Sequence, residues 1–419
     1  MSELAGRRLL VAMTGGIACY KACELVRRCA SEGAIVQVVM TPGARAFVTP
    51  LTLQVLSGRA VATETFDLVE EATIGHIRLA DESEAIVVAP ATANAIAKAA
   101  AGIADDLLGT VLLATRAPVL WAPAMNVHMW EHPATQRNLG VLQERGASVV
   151  GPGTGMLACG WEGPGRLADP EAILEAIRGL LSPKDLVGER LLVSAGPTRE
   201  AVDPVRYLSN RSSGKMGYAL ARVARRRGAE VTLVTGPTEL PAPEGVRTLR
   251  VETAAEMGAA LAAEFPRATA LIMAAAVADY RCRQPAAEKI KKRGPVMTLE
   301  LERTADLLRA LAARKGERVV IGFAAETGNP LAEARRKLRE KQLDLVVAND
   351  VTAPGAGFGA DTNLVHLVGD GWTEALPLLP KDAVAGRILD WLAARRREAA
   401  ARRSARTVRP RRRAHATPR

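Results

Sequence analysis

Two stretches of this chain begin alike. Leu191-Leu192-Val193 is a short apolar run that breaks at Gly196-Pro197, crosses a loop rich in Arg, Asn, Ser and Gly, and enters a helical pattern at Met216. Arg8-Leu9-Leu10-Val11 does the same, meeting Thr14-Gly15-Gly16 before a helix. A buried strand, a glycine turn and a helix open an α/β unit. Two such openings, at residues 8 and 190, predict tandem α/β domains whose parallel strands are covered on both faces. The 419 residues are enough for both, at about 150 residues per domain.

The expected division is residues 1–189, 190–394 and a tail, 395–419. The tail holds eleven Arg and one Glu, so +10 of the net +11 charge sits there and the body carries about +1. It has no apolar period and reads as a basic disordered extension. A charge confined to a tail argues against a dedicated nucleic-acid function. No window is apolar and long enough to span a membrane. Five Cys, at 19, 23, 29, 159 and 282, form no paired framework, which fits a reducing cytoplasm. Apolar residues make up 48% but aromatics only 3%, so Ala, Val and Leu must fill the cores.

In the first half, strands are expected at 8–13, 35–40, 86–89 and 119–122, with helices at 17–31, 95–101 and 170–181. Gly15-Gly16 lies at a helix N-terminus, a place suited to phosphate. Thr92-Ala93-Asn94 follows a strand at the carboxyl edge of the sheet, where ligands bind in such folds. Residues 151–165 form a glycine-rich loop, read as mobile and lid-like. In the second half, strands are expected at 231–235, 270–275, 319–323 and 345–348, and helices at 218–227, 254–264 and 330–341.

Several side chains could carry chemistry. His76 suits a general base near neutral pH, against the plainer reading of a packed His. Asn126 follows a strand and could hold a carboxylate or a ring edge; it could equally be a turn residue. Cys159, flanked by Gly in a loop, has no packing reason to be there and reads as a proton donor or nucleophile. His128 and His132 are four apart, but no third zinc ligand accompanies them. Asp279 ends an apolar run at a sheet edge, Lys289 opens a basic cluster, and Lys337 and Lys341 share a helical face. Together these four suit a nucleoside triphosphate with Mg²⁺. There is no Walker A motif.

The segments TGGIACYKA, PATANAIAKAAAGIADDLL, PAMNVHMW and GMLACGWEGPGRL, with Ile74-Gly75-His76, resemble the flavin-dependent cysteine decarboxylase family. AGPTREAVDPVRYLSNRSSGKMG, AAAVADYR, KIKK, GFAAET and VANDV resemble phosphopantothenate–cysteine ligase. The fused pair, in this order, resembles the bacterial bifunctional coenzyme A biosynthesis family over roughly residues 5–392. The resemblance implies two tandem Rossmann-like three-layer domains, the first a flavodoxin-like flavoprotein and the second a ligase.

It also implies two reactions. The second half would join 4′-phosphopantothenate to cysteine, using CTP and Mg²⁺ through an acyl-cytidylate, because a carboxylate must gain a good leaving group before an amine can take it. Met273, Ala274, Ala275, Asp279, Lys289, Asp306, Phe323, Lys337 and Lys341 match CTP-binding positions, and Asn210 the position that handles the acyl-cytidylate. Asp279 with the CTP phosphates would hold the metal. Thr304-Ala305-Asp306 departs from the Asn-Pro-Asp usual there. The first half would decarboxylate 4′-phosphopantothenoylcysteine to 4′-phosphopantetheine with FMN. Oxidation of the cysteine thiol to a thioaldehyde by FMN lets CO₂ leave as an enethiolate forms, and reduced FMN with a proton from Cys159 returns that enethiolate to 4′-phosphopantetheine. His76 matches the base, Asn126 the holder of the departing carboxylate, and Gly15, Gly16, Thr92, Ala93 and Asn94 the flavin-binding segments. A cytoplasmic homo-oligomer, a dodecamer, is implied too. The rivals are a non-catalytic flavin-binding regulator and another cysteine-decarboxylating flavoprotein. His76, Asn126 and Cys159 together disfavour the first, and neither explains residues 190–392.

Overall fold

A computed structural model describes residues 3–65, 75–292, 294–326, 330–350, 355–357 and 359–407. The chain divides into two compact units between Ser182 and Pro183. The sequence reading put that boundary at 189/190. The difference arises because Leu186, on the first-domain side of that boundary, is fully buried in the core of the second unit.

The first unit is a five-stranded sheet: Arg8–Met13 (β1), Ile35–Met40 (β2), Ala85–Ala91 (β3), Val119–Pro123 (β4) and Ser148–Val149 (β5). The order is β2-β1-β3-β4-β5, with every pairing parallel. This is the flavodoxin-like order, and its direction of progression reverses between β1 and β3. Side chains alternate along β1. Leu9, Val11 and Met13 pack with the helices Cys19–Ser31 and Pro170–Leu181. Leu10 and Ala12 pack with Ile96 and Leu139 on the opposite face. Each fully buried Leu or Val is worth about 1.5–3 kcal/mol, so both layers are held by the strand that opens the unit.

The glycine-rich stretch is not an irregular loop. Gly153–Met156 (β6) and Glu162–Arg166 (β7) form a two-stranded antiparallel ribbon. The first helix begins at Cys19 rather than Ile17, because the chain first makes a turn in which Cys19 N–H donates to the Gly16 carbonyl.

The second unit begins with Arg190–Ala195 (β8), then the pair Arg199–Ala201 (β9) and Tyr207–Ser209 (β10). Glu230–Thr235 (β11), Arg247–Arg250 (β12) and Ala270–Met273 (β13) follow. Tyr280–Cys282 (β14) pairs with Leu301–Arg303 (β15). Val319–Glu326 (β16) and Leu345–Asp350 (β17) precede Thr362–Asn363 (β18), Val365–Gly369 (β19), Trp372–Ala375 (β20) and Leu379–Pro380 (β21). One eight-stranded sheet runs β12-β11-β8-β13-β16-β17-β19-β20. It is parallel through β17 and antiparallel at β19 and β20. Leu191 and Val193 face one core layer and Leu192 the other.

The tail begins as helix, not as a disordered extension. The last helix runs Lys381–Thr407, through thirteen residues assigned to a disordered extension, while 408–419 lie outside the described residues. Val384, Ile388, Leu389 and Leu392 anchor it in the core. Beyond them Arg and Ala, both strong helix formers, carry it on. Arg396 Nε also donates to Glu189 at 2.9 Å. The lack of an apolar period in this stretch did not exclude helix.

Candidate functional sites

The first site lies at the carboxyl edge of β1 and β3, where the strand order reverses. Thr14 ties the two loops together. Its hydroxyl donates to the Pro90 carbonyl at 2.7 Å and accepts from Thr92 N–H at 3.0 Å. Thr92 caps the helix Ala93–Ala101, its hydroxyl accepting from Ala95 N–H. So Gly15-Gly16 and Thr92-Ala93-Asn94 border one place. A Cβ on Gly15 would stand 2.9 Å from the Gly43 backbone. No larger residue fits without moving one chain segment, and Gly15 presents bare backbone at this edge.

The ribbon builds the second element. Gly165 has φ +144°, and a Cβ there would lie 2.3 Å from the Met125 carbonyl oxygen. Only glycine lets the ribbon lie this close, and Met125 N–H donates to the Gly165 carbonyl at 2.9 Å. Gly165, and Gly163 against Val127, therefore serve close approach. The result is an apposition: Asn126 Nδ2 donates to Cys159 Sγ at 3.2 Å across 33 residues of sequence. Asn126 Oδ1 accepts from His128 N–H at 2.9 Å. Cys159 is exposed at the turn of the ribbon. The Asn126 amide, aided by a backbone hydrogen bond with Trp161, lowers its thiol pKa, since a donor at sulfur favours the thiolate.

His76 opens the helix Gly75–Glu82, with its Nδ1 buried and without a partner. Ile74 lies outside the described residues. His128 packs edge-on against Trp161, and His132 Nδ1 caps Ala134 N–H. Both have structural work. Among the described residues no group of three His, Cys, Asp or Glu could hold a metal ion.

In the second unit one cavity of about 690 Å³ lies at the carboxyl ends of β13, β16 and β17. Asn210, Ala275, Asp279, Asp306, Phe323, Lys337 and Lys341 all line it, as do Met273 and Ala274. Asn210 Nδ2 donates to the carbonyls of Ala276 and Val277 at 3.0 and 3.2 Å, which clamps its loop to the turn after β13. Ser194 Oγ, buried, accepts from Ala275 N–H at 3.1 Å and holds that turn from below. Gly214, in the left-handed region, leads into the helix Lys215–Arg226, whose N-terminus borders the cavity. Lys341 pairs with Asp306 at 2.8 Å. Lys341 is the main favourable cause holding the Asp306 carboxyl below its usual range, against the opposing effect of burial. The departure at Thr304 is accommodated, its hydroxyl bonding the Ala278 carbonyl. Lys289 is exposed and does not line the cavity. Its segment is held elsewhere, Ile290 N–H donating to Asp203 at 3.1 Å and its carbonyl accepting from Arg206 at 3.0 Å.

Residues 1–182 match the family described as Flavoprotein, and residues 186–395 the family described as DNA/pantothenate metabolism flavoprotein C-terminal domain. Against the coenzyme A biosynthesis bifunctional protein CoaBC of Bacillus subtilis (strain 168), identity is 48% over 396 residues, 93% of this chain and 98% of that protein. Against its counterpart in Vibrio cholerae serotype O1 it is 47% over 392 residues, again 93% and 98%. The chain belongs to this family. It is a bifunctional enzyme of coenzyme A biosynthesis, with a flavoprotein decarboxylase half and a ligase half. The solved C-terminal domain of a CoaBC protein is 42% identical, covering 51% of this chain and 99% of that one, with a TM-score of 0.45.

Within this coenzyme A biosynthesis enzyme, the cavity of the ligase half also includes Lys215, together with Asn349, Asn363 and Lys381, three residues that the sequence reading did not name. Asn349 ends a buried strand and had the signal used for Asn126. Asn363 sits in a two-residue strand with no pattern to mark it. Lys381 begins a helix and is 7% exposed.

Proposed function

We propose that the ligase half joins 4′-phosphopantothenate to cysteine with CTP and Mg²⁺ through an acyl-cytidylate, and that the first half decarboxylates the product with FMN to 4′-phosphopantetheine. The observation that supports the ligase reading most is the single cavity drawing Asn210, Asp279, Phe323, Lys337 and Lys341 from separate segments. Lys337 and Lys341 would carry the triphosphate charge. The Gly214 turn and helix N-terminus would add backbone N–H donors. Asp279, a carboxylate at the cavity wall, would hold Mg²⁺ together with the phosphates. Asn210 would orient the acyl-cytidylate for the amine.

The residues at the first site fit FMN: backbone bared by Gly15 at a helix N-terminus, beside the Thr92 cap, at the reversal of strand order. When bound, FMN would supply a reversible two-electron acceptor, for thiol oxidation and for return of the same electron pair after CO₂ is lost. Gly15, Gly16, Thr92, Ala93 and Asn94 would hold it. Cys159 would donate the proton that completes 4′-phosphopantetheine, and the Asn126 amide both places its sulfur and makes it a stronger acid. An amide nitrogen has two N–H groups, so the second remains for a departing carboxylate. His76 would serve as base. A cytoplasmic setting is supported by five unpaired cysteines. Association of copies is supported by the exposed apolar Phe47, Leu51 and Val55, and the number of copies, twelve, rests on the family resemblance.

The test is direct. Supplied with 4′-phosphopantothenate, cysteine and CTP, the enzyme should release pyrophosphate; absence of release sinks the ligase reading. The purified protein should bind FMN, and a chain that stays colourless after FMN is added sinks the flavin reading.

A further inference from the structure

The ligase cavity has a second pair of cations besides Lys337 and Lys341. Lys215 and Lys381 both line it. Each is the first residue of its helix, Lys215–Arg226 and Lys381–Thr407. Those two helices pack on the core layer that Leu191 and Val193 face. Lys337 stands on the helix Pro330–Glu340, which packs on the layer that Leu192 faces, and Lys341 directly follows that helix. The two pairs of lysines therefore flank the cavity from opposite faces of the sheet.

The ammonium groups of Lys215 and Lys381 are neighbours. Lys381 Nζ donates to the Ala360 carbonyl. Lys215 Nζ donates to the Gly359 carbonyl at 2.9 Å and to Asp361 at 2.6 Å. Three consecutive residues of one loop thus receive both side chains. Asp361 answers the charge of Lys215. Lys381, 7% exposed, has a carbonyl but no carboxylate bonded to it among the described residues. Burial and the Lys215 charge push its pKa down, more than Asp361 raises it. A lysine is seldom so buried without an opposite charge. An ammonium has three N–H groups, so two remain at Lys381 and one at Lys215. Unspent donors and uncompensated charge, beside the positive ends of two helices, suit a phosphate group, whose oxygens accept several charge-assisted bonds at once.

We propose that Lys381, with Lys215, forms a phosphate-binding corner of the ligase cavity, separate from Lys337 and Lys341. The inference rests on the ligase reading above, in which the nucleotide and the acid it activates both carry phosphate. A carboxylate that attacks the nucleotide must approach a polyanion. Cations on both sides of the cavity offset that repulsion. The phosphate monoester of the acid and the triphosphate of the nucleotide share the chemistry that this corner recognises, and kinetics separates them.

The test is pyrophosphate release by the full chain while CTP, 4′-phosphopantothenate and cysteine are varied in turn. Lys381→Met keeps the apolar stem and removes the charge. It should raise the KM of a phosphorylated substrate about ten- to a hundredfold, the loss expected with one charge-assisted hydrogen bond, and leave that of cysteine unmoved. A rise for 4′-phosphopantothenate puts its monoester at this corner; a rise for CTP puts the triphosphate there. Inorganic phosphate should compete with that same substrate, and compete less well in the variant. Lys381→Arg, which keeps the charge, should recover most of the loss. Lys215→Met, at a less buried position, should show the same selectivity and carries the test if Lys381→Met does not fold. A role confined to anchoring the loop would move all three KM values together or lower kcat alone, and either result overturns the inference. Unchanged KM values for both phosphorylated substrates overturn it too. No pyrophosphate from the wild-type enzyme would instead sink the ligase reading itself.

Discussion

Asn126 Nδ2 donates to Cys159 Sγ at 3.2 Å, joining a turn after a parallel strand to the tip of a glycine ribbon. The amide stabilises the thiolate and lowers the thiol pKa. Asn126→Leu removes the donor, so that pKa rises and the fraction of thiolate at neutral pH falls. The rate of Cys159 alkylation by iodoacetamide, followed against pH with Cys23 blocked by substitution, should shift its midpoint upward. An unchanged midpoint would detach Asn126 from the acidity of Cys159.

Cys159→Ser replaces a thiol by a much weaker acid. With FMN bound, CO₂ should still leave 4′-phosphopantothenoylcysteine while formation of 4′-phosphopantetheine drops by orders of magnitude. Mass spectrometry of the stalled product reads this. Full turnover would remove the proton-donor role.

Gly15→Ala forces a Cβ to within 2.9 Å of the Gly43 backbone. Overpacking of this kind costs about 1–3 kcal/mol, which should weaken FMN binding roughly tenfold, as measured by quenching of flavin fluorescence. Pyrophosphate release by the ligase half should be unaffected, because Gly15 belongs to the other unit.

Lys341→Ala takes a cation from the ligase cavity and leaves Asp306 without its 2.8 Å partner. A charge-assisted bond is worth about 1.5–3 kcal/mol, so the KM for CTP should rise roughly ten- to a hundredfold. Added salt should weaken nucleotide binding more in the wild-type enzyme than in the variant.

Arg227 is 4% exposed and binds Asp185 at 2.7 Å and Asp390 at 2.8 Å. Arg227→Met keeps the stem and removes the charge, which should destabilise the ligase half by about 1–3 kcal/mol at neutral pH. Arg227 holds the Asp185 carboxyl below its usual range. The stabilisation is therefore present above the unfolded carboxyl pKa, near 4, and is lost as pH falls through the lower folded value. Urea unfolding at pH 7 and below pH 4 should show the two proteins converging in acid.

The chain's own order of residues determined the architecture and marked most of the residues that the fold gathers at the candidate sites. Strands buried on both faces must be apolar throughout, so Leu9-Leu10-Val11 and Leu191-Leu192-Val193 announce parallel sheets without reference to anything else. Turns at the carboxyl edges of those strands are where small and polar residues must appear, which is why Gly15, Thr92, Asn126, Asn210 and Asp279 were legible. Tertiary structure decided what a linear reading has no means to weigh. Glycines at 151–165 look the same whether they loosen a loop or admit a neighbouring backbone, and only the contact of Gly165 with Met125 distinguishes the two. The Arg-rich stretch after residue 394 lacks a packing period, yet local propensity and the hold of Glu189 on Arg396 keep it helical to Thr407. Lys289 carries the right charge but stands outside the cavity. Asn363 carries no pattern at all, and only the fold brings it to the cavity wall. Chemistry is set by distances between side chains remote in sequence, and the folded packing alone determines those distances.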